Sequence, residues 1–273
     1  MDVGVEVREP APAGDRTGSD ALVDSAWSLA WQSLRRPYPL SASTAVLMAA
    51  LFLMAPFYIF IAELMPGREM HTPELAVDRL VPLQPAWALV YGSLYLFLIL
   101  LPLFVVRQPD QIRRTVLTYL AVWSTAFVFF LLYPTSAPRP GSVAGSGFVV
   151  WGLKFLYESD PPYNCFPSLH VAHSTVSALT CYLVNRGVGI VAFASVVLVG
   201  VSTLFTKQHY VLDVMAGILL AGAAFLLLFR GHPRDAVPEL DRRAAPALAA
   251  AILGILALVA AGFWIAFRVN GNG

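Results

Sequence analysis

The sequence predicts an all-α membrane protein: a polytopic helix bundle with a six-helix core and an added seventh span at the C-terminal end. Of its 273 residues, 58% are hydrophobic and 13% are charged, and the mean hydropathy is +0.67. These values are too apolar for an ordinary water-soluble domain. Seven apolar runs, each near the roughly 20 residues that cross a bilayer core, lie between charged or Pro/Gly-rich breaks. The runs are Leu40–Leu64, Ala86–Val106, Thr115–Tyr133, Ser168–Val184, Val188–Phe205, Val211–Phe229 and Pro246–Phe267.

The runs divide the chain into three parts. Residues 1–39 are expected to form a cytoplasmic N-terminal tail, partly disordered, because residues 1–20 are rich in Pro, Gly and acidic residues. Residues 1–20 contain no apolar h-region, so a cleavable signal peptide is not expected. Residues 40–229 are predicted to form a six-span catalytic membrane domain. Residues 230–273 are predicted to form a cytoplasmic linker and the seventh span, an Ala/Leu/Ile-rich anchor.

Positive charges are distributed unequally over the predicted loops. With the N-terminus inside, twelve Lys and Arg residues fall on the inner side and six on the outer side. Because cytoplasmic loops carry an excess of positive charge, this split favours a cytoplasmic N-terminus. Arg outnumbers Lys 16 to 2, a coding bias that indicates a GC-rich bacterial genome and hence a bacterial inner (plasma) membrane.

Composition also excludes several classes of protein. A net charge of +1, with basic residues scattered singly or in pairs, leaves no surplus for nucleic acid. Cys165 and Cys181 are separated by most of a predicted helix and are interpreted as free thiols. Five histidines are too few for a membrane di-iron enzyme, and Ser168 lacks the Gly-x-Ser-Gly context of an intramembrane serine protease.

Three polar clusters fall on the predicted outer side, where ionisable groups at membrane depth indicate function. The first is Arg139, placed between two prolines just after the third span. Its guanidinium is suited to bind phosphate through two parallel hydrogen bonds. Interfacial anchoring is the alternative interpretation for an Arg at this position.

The second cluster opens the fourth span with Pro167, Ser168 and His170. A helix N-terminus presents free N–H groups to an anion, and Ser168 adds a hydroxyl donor. His170 is within reach to act as an acid or a base. His173, one turn deeper, has no acidic partner nearby in sequence and is interpreted as a structural or supporting residue.

The third cluster contains Lys207, His209 and Asp213, between the fifth and sixth spans. If the helix begins at His209, Asp213 shares its face one turn deeper. The carboxylate then accepts the proton-bearing nitrogen of His209, fixes its tautomer and makes the other nitrogen a better nucleophile. A structural His–Asp pair is the alternative. Lys207 either attracts a phosphate or anchors to lipid headgroups.

The outer loop of residues 134–166 is long enough to form an acceptor pocket. It contains four polar residues of interest. Each is interpreted individually as a solvated loop residue. They are Glu158, Asp160, Tyr163 and Asn164.

Together the clusters resemble the motifs of the type 2 phosphatidate phosphatase superfamily, Lys-x6-Arg-Pro, Pro-Ser-Gly-His and Ser-Arg-x5-His-x3-Asp. The order and spacing match, and so does the predicted membrane side. The matching residues are Arg139-Pro140, Pro167-Ser168-x-His170 and Ser202-x6-His209-x3-Asp213.

Three positions depart from these motifs: Leu132 replaces the Lys, Leu169 the Gly, and Thr203 the Arg. Two phosphate-binding cations of the family pattern are therefore missing. The segments Phe166–His170 and His209–Asp213 look more like the branch that contains inositol phosphorylceramide synthase and sphingomyelin synthase, enzymes that move a phosphorylated headgroup between lipids. Fewer cations suit a phosphodiester, which carries less negative charge than a phosphomonoester near −2.

The resemblance implies that His209 attacks phosphorus, that His170 protonates the leaving alkoxide, and that a phosphohistidine forms with support from Asp213. The implied partners are membrane lipids, a phospholipid donor and a lipid or polyol acceptor, and neither a metal nor another cofactor is expected. The expected phosphate-binding residues are Arg139, Ser168, Ser202 and Lys207.

Two other functions remain open from the sequence. In a lipid phosphate phosphatase acting on phosphatidate or a polyprenyl phosphate, water would be the acceptor. A non-catalytic membrane transporter or scaffold would also contain buried His, Asp and Arg residues.

Overall fold

The computed structural model describes residues 18–233 and 236–270. Within these residues the chain forms nine α-helices and one short 3₁₀-helix, Ala76–Leu80, and no strand. The predicted all-α helix bundle is therefore confirmed. The helices are α1 (Gly18–Arg35), α2 (Ala42–Glu63), α3 (Trp87–Val105), α4 (Pro109–Leu132), α5 (Phe148–Ser159), α6 (Leu169–Val184), α7 (Arg186–Phe205), α8 (Val211–Leu228) and α9 (Glu239–Asn270).

Six of these helices, α2, α3, α4, α7, α8 and α9, are long and apolar enough to cross a membrane. They correspond to six of the seven predicted spans. The helix predicted over Ser168–Val184 is α6, which has 16 residues and a length of about 24 Å at 1.5 Å per residue. It is shorter than a bilayer core of about 30 Å. Three spans begin earlier than predicted: α4 at Pro109, with Pro in its first turn, α9 at Glu239 and, by two residues, α7 at Arg186.

The short α6 lies in the middle of the bundle. It packs against α3, α4, α7 and α8, and eleven of its 16 residues are buried. Small side chains make this packing possible, because Ala, Ser and Thr let helix backbones approach closely. Asn185 ends α6 and caps α7, and α6 is four residues shorter than α7, so its first turn lies about 6 Å below the end of α7.

The loops group at two opposite ends of the bundle. At one end, here called the site end, the segments 64–86, 133–168 and 206–210 meet: the His71 N–H donates to Pro134 at 2.8 Å, and the Gln84 N–H donates to Phe205 at 2.9 Å. At the other end Arg107 donates to the carbonyl of Arg36, and Asn185 to that of Arg242. Helices that cross the membrane one after another in alternate directions place their connecting loops at two opposite ends in this way.

Helix α1 was not predicted from the sequence. It occupies the second half of the expected N-terminal tail and packs against α9. Ser33 donates a hydrogen bond of 2.9 Å to the buried Asp241, and Arg36 forms an ion pair with the same carboxylate. Residues 1–17, which contain most of the segment predicted to be disordered, lie outside the described residues, as do Arg234 and Asp235 of the predicted linker.

Helix α5 was also not predicted. It lies within the long loop of the site end and packs against α3 and α9. The Phe148 ring lies 5.1 Å from that of Trp264 and 5.5 Å from that of Phe267. Helix α9, interpreted from the sequence as an added anchor, therefore supports the loop helix that leads to Tyr157 and Asp160.

Candidate active site

The first turn of α6 is held against α8 by backbone contacts. Ser168 is the N-cap: its Oγ accepts the N–H of Val171 at 3.4 Å. Its own N–H donates to the carbonyl oxygen of Asp213 at 3.0 Å. Gly217 of α8 lies so close that a Cβ there would be 2.6 Å from the Ser168 carbonyl oxygen. The capping and this close approach place His170 beside the start of α8.

Asp213 contacts His209 as predicted, but through a different geometry. Helix α8 begins at Val211, with Tyr210 as N-cap, so His209 precedes the helix. Asp213 is the third helical residue and its Oδ2 accepts the Tyr210 N–H at 2.8 Å. The same oxygen lies 3.4 Å from Nδ1 of His209. The carboxylate is fully buried and its Oδ1 atom has no hydrogen-bond partner among the described residues.

The two histidines of the site contact each other directly. Nδ1 of His170 lies 3.2 Å from Nε2 of His209. If Nδ1 of His209 donates to Asp213, its Nε2 carries the lone pair, and Nδ1 of His170 must be the donor across this contact. His209 thereby has a nucleophilic nitrogen directed at a proton-bearing nitrogen of His170.

Asp160 lies at the other side of His170. Its Oδ2 is 4.0 Å from Nε2 of His170, and its Oδ1 accepts a 2.9 Å hydrogen bond from the Tyr58 hydroxyl. The side chain is only 16% exposed, so its interpretation as a solvated loop residue was wrong. Burial raises the pKa of the Asp160 carboxyl above its usual value, while the Arg139 guanidinium and the Tyr58 hydroxyl oppose this shift.

Arg139 is at the site end, as predicted, and has many partners. Its guanidinium donates to the carbonyl oxygens of Tyr157 and Asp160, at 3.2 and 2.7 Å, and to the side-chain oxygen of Gln208. It also lies 3.8 Å from the Asp160 carboxylate and packs over the Tyr157 ring. Helix α5 and the turn before His209 thus hold the guanidinium between them.

Two hydrogen-bond donors beside the Arg139–Gln208 hydrogen bond have no partner among the described residues. Nε of Arg139 and Nε2 of Gln208 are buried and unpaired among the described residues. Buried donors in native proteins are rarely left without an acceptor. An anion bound beside the histidines would supply one. Gln208 was not identified from the sequence, where nothing distinguishes it from other polar turn residues.

Lys207 and Ser202, both expected to bind phosphate, are bonded elsewhere. The Lys207 ammonium donates to the carbonyl oxygens of Val81 at 2.5 Å and Asp78 at 3.3 Å, next to the 3₁₀-helix. Ser202 is fully buried, and its hydroxyl donates to Val199 within α7 at 2.7 Å. Neither makes a hydrogen bond or ion pair with the histidines or Arg139. Lys207 has a φ of +56° in the turn after α7, close to the 3₁₀ segment.

The other three polar residues of the outer loop differ in how exposed they are. Glu158 is exposed and Tyr163 is partly buried. Asn164 is 2% exposed and donates to the Tyr58 carbonyl at 3.0 Å, so its interpretation as a solvated residue was wrong. Its backbone contact with α2 was not predictable without knowing how the loop folds back.

Tyrosine rings of α3 form an apolar wall beside His170. The ring centroids of Tyr91 and Tyr95 lie 5.2 and 4.9 Å from that of His170. His173, one turn deeper, stacks on Tyr119 at 4.2 Å and accepts a 3.4 Å hydrogen bond from the Trp123 indole at Nδ1. The spacing of the two α3 tyrosines, four residues apart in an apolar span, is a signal that would have identified them.

A comparison with models of protein families shows which superfamily the chain belongs to. A family model described as the PAP2 superfamily matches residues 69–227, more than half of the chain. The protein therefore belongs to the PAP2 superfamily, the type 2 phosphatidate phosphatases, whose members are membrane phosphatases and phosphotransferases. The match includes Arg139, His170, His209 and Asp213. It leaves α1, α2 and α9 outside.

A search of curated proteins and a search of solved structures each found no significant match.

Proposed function

We propose that the protein is a membrane lipid phosphotransferase. It cleaves a lipid phosphoester through a phosphohistidine intermediate and passes the phosphoryl group or phosphorylated headgroup to a hydroxyl of a lipid or polyol. The observation that carries this proposal is the line of three groups at the site end: Asp213 lies 3.4 Å from His209, which lies 3.2 Å from His170. A carboxylate that orients a nucleophile next to an acid is the arrangement that covalent catalysis needs.

In the first half of the reaction, Nε2 of His209 forms a bond to phosphorus. The bond from phosphorus to the leaving oxygen breaks, and His170, which carries a proton on each ring nitrogen at this stage, passes its Nδ1 proton to that oxygen, which leaves as an alcohol while the His170 ring becomes neutral. Asp213 accepts the Nδ1 proton of His209 in a hydrogen bond and stabilises the positive charge that develops on this ring.

In the second half, the acceptor hydroxyl replaces the departed alcohol. Nδ1 of His170, now without its proton, takes the hydroxyl proton while the oxygen bonds to phosphorus and the N–P bond breaks. His209 and His170 return to their starting states. Asp160, 4.0 Å from Nε2 of His170, stabilises this ring when it carries both protons.

Three donors are available for the nonbridging oxygens of the phosphoryl group. Nε of Arg139 and Nε2 of Gln208 are buried and have no hydrogen-bond partner in the part of the chain that the structure describes. The Ser168 hydroxyl accepts a hydrogen bond but donates none among the described residues. Oriented donors of this kind stabilise charge that develops in the transition state.

A phosphodiester donor is favoured by the charges around the histidines. Lys207 is bonded to backbone carbonyls, and the Arg139 charge is partly balanced by Asp160. Gln208 contributes a neutral amide instead of a cation. A site with so little net positive charge suits a singly charged diester better than a monoester near −2. The resemblance to the headgroup-transferring branch, which includes sphingolipid synthases, supports the same donor class.

The orientation of the protein follows from its loops. All predicted catalytic residues lie at the site end, and the excess of Arg lies in segments of the other end. The positive-inside rule therefore supports a cytoplasmic N-terminus and a site on the extracytoplasmic side, and the excess of Arg over Lys supports a bacterial inner membrane.

The test is to give the purified protein, in detergent with EDTA, a panel of phosphorus-labelled lipids together with ceramide, diacylglycerol and inositol. His209→Ala is the inactive variant. His71→Ala is the matched control, because His71 is an exposed histidine at the same end of the bundle that stacks on Tyr133. The label is followed by chromatography.

Label that appears in a new phospholipid or sphingolipid only when an acceptor is supplied, and is absent with His209→Ala, supports the transferase. Label released as inorganic phosphate from phosphatidate or a polyprenyl phosphate makes water the acceptor and the protein a lipid phosphatase. Unchanged turnover in His209→Ala, or activity lost in EDTA and restored by a divalent ion, overturns the proposed mechanism.

A further inference from the structure

A cavity of about 390 Å³ lies at the end of the bundle opposite the candidate active site. It is formed where α6 ends and where α7 and α9 begin. Three of its residues are arginines and one is a glutamate, so positive charge is in excess. The arginine cavity, as it is called here, is lined by Arg186, Arg242 and Arg243 together with Tyr182, Asn185 and Glu239.

The cavity exists because α9 packs chiefly against α1 and α3 and leaves space beside the junction of α6 and α7. One hydrogen bond crosses this space, from Nδ2 of Asn185 to the carbonyl oxygen of Arg242 at 2.9 Å. Asn185 also caps α7, since its side-chain oxygen accepts the Val188 N–H at 3.1 Å. The start of α7, whose other first N–H groups carry partial positive charge, therefore borders the cavity.

The guanidinium of Arg242 is held in place but keeps a free donor. Its Nη2 donates to the Val237 carbonyl oxygen at 2.9 Å. Its Nε is buried and has no hydrogen-bond partner among the described residues. The Glu239 carboxylate lies 3.7 Å from this nitrogen and is 72% exposed, which is too distant for a hydrogen bond. An anion in the cavity would supply the acceptor that a buried donor ordinarily has.

The two other arginines of the cavity are exposed. Neither Arg186 nor Arg243 makes a hydrogen bond or an ion pair within the part of the chain that the structure describes. Arg36 and Arg114, at the same end of the bundle, are paired with carboxylates. Guanidinium groups that share a cavity repel each other unless an anion lies between them. A phosphoryl group suits this position, because its oxygens accept parallel hydrogen bonds from guanidinium groups.

The position of the cavity along the helices is that of lipid headgroups. The apolar part of α9 extends over Glu239–Val269, 31 residues, or about 46 Å at 1.5 Å per residue. Since a hydrocarbon core is about 30 Å thick, the first turns of α9 project beyond it. Ile190, one turn deeper than Arg186 on the same face of α7, is 62% exposed and faces the lipid chains. A lipid phosphoryl group can therefore reach the arginines without leaving the bilayer surface.

We propose that the arginine cavity binds a phosphoryl group of an anionic lipid, held between Arg186 of α7 and the two arginines of α9. Basic pockets between membrane helices are known to bind such headgroups. A soluble phosphate ester presents the same phosphoryl chemistry, and the experiment separates the two sources. The proposal goes beyond the proposed reaction and does not rest on it, because none of the cavity residues contacts the histidines at the site end. The bound group ties α9 to the junction of α6 and α7 and stabilises the folded protein.

The experiment measures lipid binding to the full-length protein in detergent. The parent protein is His209→Ala, so that lipid is not turned over at the candidate active site. Native mass spectrometry counts the phosphatidylglycerol molecules retained during a titration, with zwitterionic phosphatidylcholine as the matched lipid. Arg186→Gln combined with Arg243→Gln removes the two arginines that have no described partner. Arg113→Gln combined with Arg230→Gln is the matched control, because both are exposed arginines of the same end outside the cavity.

We expect the dissociation constant for phosphatidylglycerol to rise roughly tenfold in the cavity variant, an equilibrium change of about 1.4 kcal/mol, and to stay unchanged in the control. Phosphatidylcholine should be retained weakly by all three proteins. Lipid bound at the candidate active site contributes equally to each of them, because no substitution in the comparison touches that end. An equal loss in the cavity variant and the control would show only the general attraction of anionic lipid to a basic surface, and it would overturn the proposal. Unchanged binding in the cavity variant would overturn it as well.

A second measurement identifies the source of the phosphoryl group. The thermal midpoint of the three proteins is determined in lipid-free detergent with and without glycerol phosphate. A rise in the parent that is lost in the cavity variant, without selective binding of phosphatidylglycerol, would assign the cavity to a soluble phosphate ester and overturn the lipid. The midpoints without ligand show whether the variants fold. If the double cavity variant does not, Arg243→Gln alone is compared with Arg113→Gln alone.

Discussion

Nδ1 of His170 lies 3.2 Å from Nε2 of His209, in direct hydrogen-bond contact. The proposed reaction puts a phosphoryl group between these same two nitrogens. Because no phosphorus atom fits within a hydrogen bond, the rings must separate when substrate binds. Each ring has a second partner that can hold it during this change: Asp213 for His209 and, at 4.0 Å, Asp160 for His170. We therefore expect the two histidines to act as one unit.

The first prediction follows from this pairing. His209→Ala should abolish turnover, and His170→Ala should reduce it by a comparable factor, on the order of a thousandfold or more. The double variant should be no worse than His209→Ala alone, since catalytic groups that work together are strongly non-additive. Initial rates of label transfer measure this. Multiplicative losses in the double variant would show that the histidines act independently.

The second prediction separates the two contacts of Asp213. In Asp213→Asn the side-chain oxygen can still accept the Tyr210 N–H, so the N-terminus of α8 stays capped. The negative charge facing His209 is lost, and we expect turnover to fall by up to about 10⁴, the loss seen when the carboxylate that orients the histidine of a Ser-His-Asp triad is replaced by an amide. Asp213→Ala also loses the cap, at a cost of about 1 kcal/mol. Thermal unfolding in detergent should therefore rank wild type and Asn above Ala. An active Asp213→Asn protein would make the pair structural.

The third prediction concerns the close approach of α8 to α6. A Cβ at Gly217 would lie 2.6 Å from the Ser168 carbonyl oxygen, a backbone atom that cannot move aside alone. Gly217→Ala should push the start of α6, and His170 with it, away from α8. Shifts of about 1 Å at a catalytic group can cost up to a hundredfold in rate. Gly222→Ala is the matched control on the same helix, with nothing within 4 Å of its added Cβ. Equal rates for the two variants would contradict the packing described here.

The sequence was sufficient to locate the membrane helices and the catalytic candidates. The length of the apolar runs predicts α2, α3, α7 and α8, because a chain segment that crosses a bilayer core must be apolar and must pair its backbone polar groups within a helix. The spacing of the motifs predicted that His170, His209 and Asp213 lie close together, and the structure has His209 within 3.2 Å of His170 and 3.4 Å of Asp213. The geometry of the His209–Asp213 contact was not predictable, since it depends on where α8 begins. Asp213 acts through the N-cap of the helix rather than along its face.

What could not be predicted depends on long-range packing of the outer loop. The burial of Asp160 requires α5, which packs against α3 and α9, and the Tyr58 hydroxyl from α2. Helix α5 ends immediately before Asp160, but the helices that α5 packs against and Tyr58 are all distant from Asp160 in sequence. Lys207 shows the converse: a cation close to His209 along the chain bonds instead to carbonyls of a distant 3₁₀ segment.

The fourth prediction uses the pH dependence that the position of Asp160 creates. Burial raises the pKa of this carboxyl above its usual value, so the native protein keeps a proton that the unfolded chain has already released. Stability should therefore fall as pH rises from the unfolded value, about 3.9 for Asp, to the raised native value, and this contribution should be constant above it. Asp160→Asn removes the titrating group and should flatten that interval. The measurement is the thermal midpoint of both proteins in detergent across this range, with Glu158→Gln, an exposed neighbour, as control.

Asp160→Asn should also lower turnover at neutral pH, where the Asp160 carboxylate is proposed to support protonated His170. A midpoint difference between wild type and Asp160→Asn that does not change with pH, together with unchanged turnover, would remove Asp160 from the site.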